Sequence, residues 1–358
     1  MGIENFREKI DQIDKEVLAL LNERMQLAGK IGEAKRVEGG PVYVPAREET
    51  LVQKLLEANK GPMGEIQVRS IFREIISAGI SLQRKMLIGF LGPEGAYTHQ
   101  AALKNFGSSL DYKGFANIAD IFAAVGRREI DFGVVPVENS IEGTVFETLD
   151  QLSKGSLKVA SQLILPVEHC FMSHCALKDV QYIYAEETVF YQCQVWLDTH
   201  LPDAEFIIVG SGGEGARMVK SGENSAVIGS RLIAPTFGLS ILEEAIQDRK
   251  DNKTRFFIVG QDSQLPNAEV SWKSSLYLTL SNTPGALQKA LIPFASRGID
   301  LTKVETRPSR QRTWDYVFYV DLLGHREDSI VAEAIKELEA GGAFVKWLGS
   351  YPQIKEAE

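Results

Sequence analysis

Apolar residues recur every three or four positions along the first part of the chain, which is the spacing of one face of an α-helix. This apolar stripe runs over about eight turns and contains Ile3, Phe6, Ile10, Ile13, Val17, Leu20, Leu27 and Ile31. Gly39-Gly40-Pro41 ends the helix, because two glycines and a proline cannot continue it, and shorter helices are predicted over 47–59 and 64–85. Since three such helices cannot bury the stripe within one chain, we predict an all-α intertwined dimer for residues 1–86.

From residue 86 the pattern changes to short apolar runs that end in glycine or polar residues, which is typical of buried strands. The runs are LIGFLG, FGVVPVENS, LKVASQLILPV, EFIIVG, SAVIGS and RFFIVG, with helical stretches between them such as 118–128 and 193–199. Alternating strands and helices predict an α/β fold over residues 87–265, with ligands beyond the carboxyl ends of strands. A segment of this length favours two lobes around a cleft.

The last segment, residues 272–358, predicts the order β-α-β-β-α-β of an α+β ferredoxin-like domain. Its strands are SSLYLTL, IDLTKVETRP, WDYVFYVDLL and AFVKWLGSYP, and its helices are PGALQKALIPFASRG and EDSIVAEAIKELEAGG. A domain of this type usually binds a small regulator or a copy of itself.

Composition narrows the function classes. The 358 residues are 44% hydrophobic and 24% charged, as in folded proteins. A net charge of −9 argues against nucleic acid as a partner. No apolar run is long enough for a membrane span, and the charged first residues argue against a signal peptide. The 3 cysteines favour a reducing, cytoplasmic location.

Two cations interrupt the stripe of the first helix. Arg24 falls between Leu20 and Leu27, and Lys35 comes four residues after Ile31. Buried cations need an anionic partner, and a separation of roughly 16 Å would let two long side chains clamp a small dianion. The alternative is a pair of cations that extend to solvent at a domain edge.

Further polar residues of the first segment can join Arg24 and Lys35 in one binding site. Arg7 lies about 25 Å from Arg24 along a straight helix, so only the partner's copy could join the site in an antiparallel dimer. Arg47 and Glu48 open the second helix, and Gln83 lies near the end of the third. The set holds no catalytic His, Cys or metal cluster, so it can orient a ligand and stabilise charge. That chemistry suits the rearrangement of a small dicarboxylate.

Polar clusters follow the predicted strands of the second segment. GPEGAYTHQAA can form an anion pocket from backbone N–H groups. VPVENSIEGTV places Glu138, Asn139 and Ser140 at a strand end, and DNKTRFFIVG places Thr254 and Arg255 before another strand. Each alone would suit a cap or a turn, but together they favour a cleft. His169-Cys170 and His174-Cys175 suggest a metal site, yet no second pair follows at zinc spacing, so we predict no metal.

The first segment resembles the all-helical chorismate mutases through FREKIDQIDKEVLALLNERMQLAGKIGEAK, VPAREE and ISLQRK. The resemblance implies that Lys35 and Gln83 contact the ether oxygen whose bond breaks. It also implies that the arginines hold the two carboxylates. The residues it implies are Arg7 (from the other subunit), Arg24, Lys35, Arg47, Glu48 and Gln83. Val44 and Gly79 depart from the aspartate and serine of some members.

The second segment resembles prephenate dehydratase through VENSIEGT and TRF. The resemblance implies that Thr254 is the acid toward the departing hydroxyl and that Arg255 fixes a carboxylate. It implies a substrate pocket lined by Thr98, Glu138, Asn139, Ser140, Gln192, Arg255 and Phe256. Ala185-Glu186-Glu187-Thr188 replaces the usual Ser-His-Pro-Gln, and we expect that this loop is not a direct ligand.

The third segment resembles the ACT-type regulatory domain through PGAL and ETRP. The resemblance implies L-phenylalanine binding between two subunits by Asn282, Gly285, Ala286, Leu287, Glu305, Thr306, Arg307 and Pro308. The whole chain is therefore similar to the bifunctional family that converts chorismate to prephenate and then to phenylpyruvate, without a cofactor. Two alternatives stay open at this point, namely arogenate as the second substrate and an amino-acid sensor without catalysis.

Overall fold

The computed structural model describes residues 2–309 and 316–353. The fold divides into two compact units. One comprises the chain up to Leu87 together with Leu103–Asp111, and the other comprises Ile88–Ala102 and the chain from Tyr112 onward. In the described part of the chain, no helix has the length and apolar character that a membrane crossing requires.

The N-terminal segment of the first unit forms three helices, as the sequence predicts: α1 (Ile3–Glu38), α2 (Pro45–Ala58) and α3 (Glu65–Gln83). Helix α1 ends at Gly39, whose φ of 82° favours glycine. Only Ala28 and Gly32 of α1 are buried, and Gly32 lies so close to Gln83 of α3 that a Cβ atom would be 2.8 Å from its Cα. Small residues therefore let α1 approach α3.

The apolar stripe of α1 is not buried within the chain. Ile3 is 71% exposed, and Ile13 and Leu20 are 56% and 65% exposed. The segment Leu103–Asp111 belongs to the same unit as the three helices. Its Asn105 side chain donates a hydrogen bond to the Tyr43 hydroxyl (2.9 Å).

The strands of the α/β part are shorter and more numerous than the sequence predicts. They are β1 (Leu87–Leu91), β2 (Asp111–Phe115), β3 (Phe132–Asn139), β4 (Gly143–Thr144), β5 (Lys158–Pro166), β6 (Cys170–Ser173), β7 (Tyr182–Ala185), β8 (Glu205–Ile208), β9 (Ser225–Gly229), β10 (Ser240–Glu243) and β11 (Lys253–Gly260). The helices are α4 (Tyr97–Phe106), α5 (Ile118–Gly126), α6 (Phe146–Lys154), α7 (Glu187–Tyr191), α8 (Gln194–His200), α9 (Gly212–Ser221) and α10 (Ile233–Phe237).

These strands form two sheets, which confirms the bilobed prediction. The first sheet has the order β2-β1-β3-β11-β5, with β4 paired to β3, and the second has the order β10-β6-β9-β7-β8. The chain passes from the first sheet to the second between β5 and β6, and returns between β10 and β11. The two connecting segments therefore lie at the border of the lobes.

The regulatory sheet has the predicted order of elements. Its members are β12 (Trp272–Thr279), α11 (Ala286–Ala295), β13 (Leu301–Pro308), β14 (Tyr316–Leu323), α12 (Ser329–Ala340) and β15 (Phe344–Pro352). The strands pair in the order β13-β14-β12-β15. The predicted strand WDYVFYVDLL begins at residue 314, and its first two residues lie outside the described range. Both helices pack on one face of the sheet through Phe294, Val331 and Leu338.

The other face of the regulatory sheet packs on the α/β part. Strand β15 approaches β5 so closely that a Cβ atom at Gly349 would lie 2.4 Å from the Val159 carbonyl oxygen, so glycine is required there. Lys158 Nζ donates to the Trp347 carbonyl at 2.6 Å.

Candidate active sites

The two cations of α1 are half-buried in the helical unit. Arg24 Nη1 donates to the Ile75 carbonyl of α3 (3.2 Å), and Lys35 Nζ donates to the Pro41 carbonyl (2.8 Å). Burial lowers the pKa of both groups. Along the helix, the two cations lie at the border between the exposed stripe and the small residues that face α3. Neither side chain forms an ion pair in the described part of the chain, so both charges are available to an anion.

Glu48 and Gln83 supply the polar atoms beside these cations. Glu48 Oε2 accepts a hydrogen bond from Arg73 Nη1 at 2.7 Å. Burial raises the pKa of Glu48, although Arg73 and Lys35 both oppose this shift. Gln83 Oε1 is buried and has no hydrogen-bond partner among the residues that the structure describes. A buried oxygen without a partner is costly, so Gln83 marks a position where a bound molecule completes the hydrogen bonding.

Two predicted ligands of this site lie further out. Arg47 is exposed, although its charge helps lower the pKa of Lys35 after the larger effect of burial. The Arg7 side chain is 68% exposed and pairs with Glu4 one turn away. Gly79, which replaces the serine of some family members, lies beside Arg24. A Cβ atom at Gly79 would be 3.3 Å from Arg24 Nη1.

In the α/β part, Thr254 and Asn139 stand opposite each other on the paired strands β11 and β3. Asn139 Nδ2 donates to Thr254 Oγ1 at 2.9 Å. Asn139 Oδ1 accepts the backbone N–H groups of Ile141 and Glu142, at 2.8 and 2.9 Å. Because Thr254 Oγ1 accepts a hydrogen bond, its own hydrogen points elsewhere and can be donated to a ligand.

Glu138 and Arg255 do not join this pair, contrary to the expectation that these motifs line one pocket. Successive residues on a strand point to opposite faces, so both side chains face the regulatory sheet. Arg255 Nη1 lies 2.6 Å from Asp321 Oδ2, and Glu138 Oε2 lies 3.0 Å from Lys303 Nζ. The carboxylate-binding role of Arg255 stays a prediction.

Gln192 is linked to Asn139 and Thr254 by hydrogen bonds, through Asn252, which the sequence analysis did not predict. Asn252 Nδ2 donates to Gln192 Oε1 (3.2 Å), which also lies 2.7 Å from His169 Nε2. His169 Nδ1 in turn contacts the Tyr97 hydroxyl. Asn252 and Tyr97 both occur in the polar motifs of the second segment. Asparagine is common in turns and tyrosine in cores, so neither residue could be identified as functional from the sequence.

The other predicted pocket residues have mainly local contacts. Ser140 Oγ accepts from the Lys253 backbone N–H (2.9 Å), so it joins two loops. Thr98 and Phe256 are buried, with 7% and 1% exposure. In the replaced loop, Glu186 Oε1 accepts from the Gly212 backbone N–H at 3.1 Å, at the start of α9.

The histidine and cysteine pairs do not assemble a metal site. Across residues 2–309 and 316–353, no group of three His, Cys, Asp or Glu side chains is placed to hold a metal. Both ring nitrogens of His169 have hydrogen-bond partners. Cys170 and Cys193 are buried, and burial raises the pKa of both thiols.

The PGAL motif forms the turn that starts α11. Gly285 precedes the helix with φ 79° and ψ 3°, a left-handed conformation that favours glycine. The Ala286 N–H bonds to the Thr283 carbonyl at 3.1 Å, and the Leu287 side chain is 41% exposed. Asn282 is exposed in the same turn.

The ETRP motif is divided between two faces of β13. Glu305 Oε2 accepts from Thr144 Oγ1 (2.7 Å), and Arg307 Nη1 pairs with Asp150 Oδ1 (2.8 Å), so both face the α/β part. Thr306 and Pro308 are exposed on the opposite side. The structure therefore does not bring all predicted effector residues onto one surface of this chain.

Comparison with known families gives three matches in order along the chain. Residues 6–84 match chorismate mutase type II, residues 88–264 match prephenate dehydratase, and residues 274–340 match the ACT domain. The chain is 40% identical to a bifunctional chorismate mutase/prephenate dehydratase of Aquifex aeolicus, over 98% of each chain.

Two solved structures are similar to about three quarters of the chain. A prephenate dehydratase of Arthrobacter aurescens in complex with L-Phe has a TM-score of 0.67 and 32% identity, covering 75% of this chain and 90% of its own. A protein described as a novel type of quorum quenching acylase has a TM-score of 0.69 and 26% identity, covering 75% and 98%.

Proposed function

This chain belongs to the family of bifunctional chorismate mutase/prephenate dehydratases, and we propose which of its residues serve each reaction. The first reaction rearranges chorismate to prephenate. The second removes water and CO2 from prephenate to give phenylpyruvate. We assign the mutase to residues 1–86, the dehydratase to 87–265 and regulation to 272–358.

For the mutase, Lys35 and Gln83 hold the ether oxygen of chorismate while Arg24 and Arg47 hold its carboxylates. The observation that carries this assignment is that the half-buried Arg24 and Lys35 form no ion pair among the residues that the structure describes, while the Gln83 Nε2 donor has only a long contact (3.3 Å) with the Gly79 carbonyl. A protonated Lys35 stabilises the negative charge that develops on the ether oxygen in the transition state. Glu48 helps to keep Lys35 protonated, because its charge raises the pKa of that amine against the larger effect of burial.

The mutase site requires a second copy of this chain. The stripe of α1 exposes large apolar side chains along the helix, a surface that monomeric proteins rarely leave uncovered. Arg7 lies far from Arg24 along the same helix, so only an antiparallel partner can bring it to the substrate. We therefore infer a homodimer through α1.

For the dehydratase, Thr254 donates a proton to the departing hydroxyl group of prephenate. Asn139 supports this role, because its N–H hydrogen-bonds to Thr254 Oγ1 (2.9 Å) and stabilises negative charge there as the proton leaves. Gln192 contributes further hydrogen-bond donors to the substrate. Ring aromatisation supplies the driving force for loss of CO2.

The ACT domain makes L-phenylalanine the effector. Its support is the turn at Gly285 together with the L-Phe complex of the Arthrobacter relative. On strand β13, Thr306 is exposed on one face, whereas Glu305 and Arg307 contact the dehydratase part from the other face. An effector bound at Thr306 would therefore act on the same strand that contacts the catalytic domain. The three free cysteines are consistent with a cytoplasmic enzyme.

Separate assays on chorismate and on prephenate test the assignment. We expect prephenate from chorismate, phenylpyruvate from prephenate, and inhibition of the second step by L-phenylalanine. Arogenate is assayed in parallel, and faster turnover of arogenate than of prephenate would replace prephenate as the second substrate. Tight phenylalanine binding without turnover of either would leave an amino-acid sensor in place of the dehydratase.

A further inference from the structure

A buried hydrogen-bond network lies on the segments that connect the two lobes. His169 stands between β5 and β6 and is 1% exposed, and Asn252 precedes β11 and is 2% exposed. The backbones of the two segments are joined, since Ile246 N bonds to His169 O (3.0 Å) and Val167 N bonds to Asn252 O (2.9 Å). Two backbone hydrogen bonds between the connecting segments therefore hold the side chains of this network in place.

The orientation of the Asn139 amide follows from the backbone around it. Its Oδ1 accepts from the Ile141 and Glu142 N–H groups, which can only donate. Both hydrogens of Nδ2 are therefore directed at oxygens, namely Asn252 Oδ1 and Thr254 Oγ1, each at 2.9 Å. Asn252 accepts at this contact.

The same reasoning extends to His169. Asn252 presents its oxygen to Asn139, so its Nδ2 faces Gln192 Oε1 (3.2 Å). Gln192 Oε1 also contacts His169 Nε2 at 2.7 Å, so Nε2 carries the ring hydrogen. Burial lowers the pKa of His169, which leaves Nδ1 bare in the neutral ring. The Tyr97 hydroxyl has one hydrogen and lies near two acceptors, this Nδ1 and the Glu168 carbonyl oxygen at 3.0 Å. Because the bare Nδ1 is the nearer of the two, the hydroxyl donates to it.

These contacts leave the Nε2 group of Gln192 available to a ligand. Its Oε1 accepts twice, so both hydrogens of Nε2 remain, and Nε2 has no hydrogen-bond partner within residues 2–309 and 316–353. Gln192 is half-exposed, so a ligand in the cleft can reach it. Carboxylates only accept hydrogen bonds, and prephenate carries two of them.

We propose that His169 and Tyr97 are positioning residues of the dehydratase, which fix the Gln192 amide so that its two N–H groups face a substrate carboxylate. This inference rests on the proposed dehydratase function of the cleft. Without the His169 donor, only the longer contact with Asn252 (3.2 Å) holds the Gln192 amide. The amide then turns over more readily, and its oxygen would meet the carboxylate. The loss concerns substrate binding rather than proton transfer, so KM should change more than kcat.

Two substitutions at His169 separate the hydrogen bond from packing. His169→Phe removes both ring nitrogens, whereas His169→Gln places an amide N–H near the position of Nε2. We expect His169→Phe to raise KM for prephenate about 10- to 100-fold, as for a lost hydrogen bond to a charged group, with a smaller change in kcat. His169→Gln should restore most of the affinity. An unchanged KM in His169→Phe, or equal impairment in both variants, would overturn the inference.

A spectroscopic measurement tests the network even if His169→Phe does not fold. The ¹⁵N shifts of labelled histidines in the full-length wild-type protein report the tautomer of each ring. We expect the Nε2–H tautomer for His169, assigned with the His169→Gln variant, and a mixture of tautomers in Tyr97→Phe. An Nδ1–H tautomer in the wild type would contradict the inference. A wild type without activity on prephenate would instead refute the proposed function, while the tautomer still tests the network.

Discussion

The Arg255 guanidinium and the Asp321 carboxylate form a buried ion pair, with Nη1 2.6 Å from Oδ2 and side-chain exposures of 10% and 8%. Arg255 follows Thr254 on β11 but points to the opposite face, so the strand that carries the proposed acid is tied directly to the regulatory sheet. Burial would raise the pKa of Asp321, but Arg255 and Lys273 together hold it below its usual value.

Loss of the Asp321 charge should destabilise this part of the fold. Asp321→Asn leaves the buried Arg255 with only the more distant Glu138 carboxylate at 3.9 Å. Breaking a buried ion pair typically costs about 3–5 kcal/mol of unfolding free energy. Urea unfolding followed by the fluorescence of Trp272 and Trp347 would measure this change. The control is Asp300→Asn, because Asp300 is exposed and a surface change of this kind typically shifts stability by less than about 0.5 kcal/mol. Equal stability of the two variants would mean that the pair contributes nothing.

The two active sites should respond to different substitutions. Lys35→Ala should lower the mutase rate by about 100- to 1000-fold, as for a lost transition-state donor, and leave the dehydratase rate nearly unchanged. Thr254→Val keeps the shape of the side chain without its hydroxyl, and should lower only the dehydratase rate, by about 100-fold or more. Steady-state assays of both reactions on both variants provide the controls. A parallel fall of both activities in either variant would contradict the division into two sites.

The mutase should lose activity in alkaline solution earlier than an ordinary lysine would predict. Burial and the nearby Arg47 lower the pKa of Lys35 below 10.5, against the opposing charge of Glu48. The ammonium is the active form, so kcat/KM should fall as pH rises through this lowered value. Lys35→Arg is the comparison, because a guanidinium stays protonated over this range, and its residual activity should lack the alkaline fall. The same alkaline limb in both proteins would exclude Lys35 as its source.

A charge in the exposed stripe should separate the subunits. Ile13 is 56% exposed on α1, and Ile13→Glu would remove about 1.5–3 kcal/mol of apolar burial per chain in a dimer. Sedimentation should show a smaller species, and mutase activity should fall while prephenate turnover persists. Lys15→Glu introduces the same residue on the opposite helix face and should leave the assembly intact. A wild type that sediments as a monomer would refute the proposed dimer.

Two glycines of the regulatory domain provide a matched test of the effector site. Gly285 and Gly298 have φ of 79° and 66°, and a Cβ atom at either would meet no other atom within 4 Å. Alanine at either position should cost about 1 kcal/mol of backbone strain. Only Gly285→Ala should raise the phenylalanine concentration required for half-inhibition of the dehydratase. Equal inhibition of both variants would place the effector away from the PGAL turn.

The periodicity of the sequence was sufficient to predict the main elements. Helices α1 to α3 and the order of the regulatory domain follow from apolar spacing and from Gly and Pro, which act locally. Short strands such as β6 and β10 were missed, because four residues show too little alternation to be distinguished from loops. The motifs around Asn139 and Thr254 do meet in the structure, because the two residues stand opposite each other on paired strands.

Only the tertiary structure decided which way the polar side chains of the cleft motifs point. Arg255 is adjacent to Thr254 in sequence, yet its partner Asp321 lies 66 positions away. His169 likewise meets Tyr97 across 72 positions, in a contact that no local pattern reports. Sequence spacing determines the periodicity of the backbone, whereas a hydrogen bond or ion pair depends on which distant chain segment packs against each face.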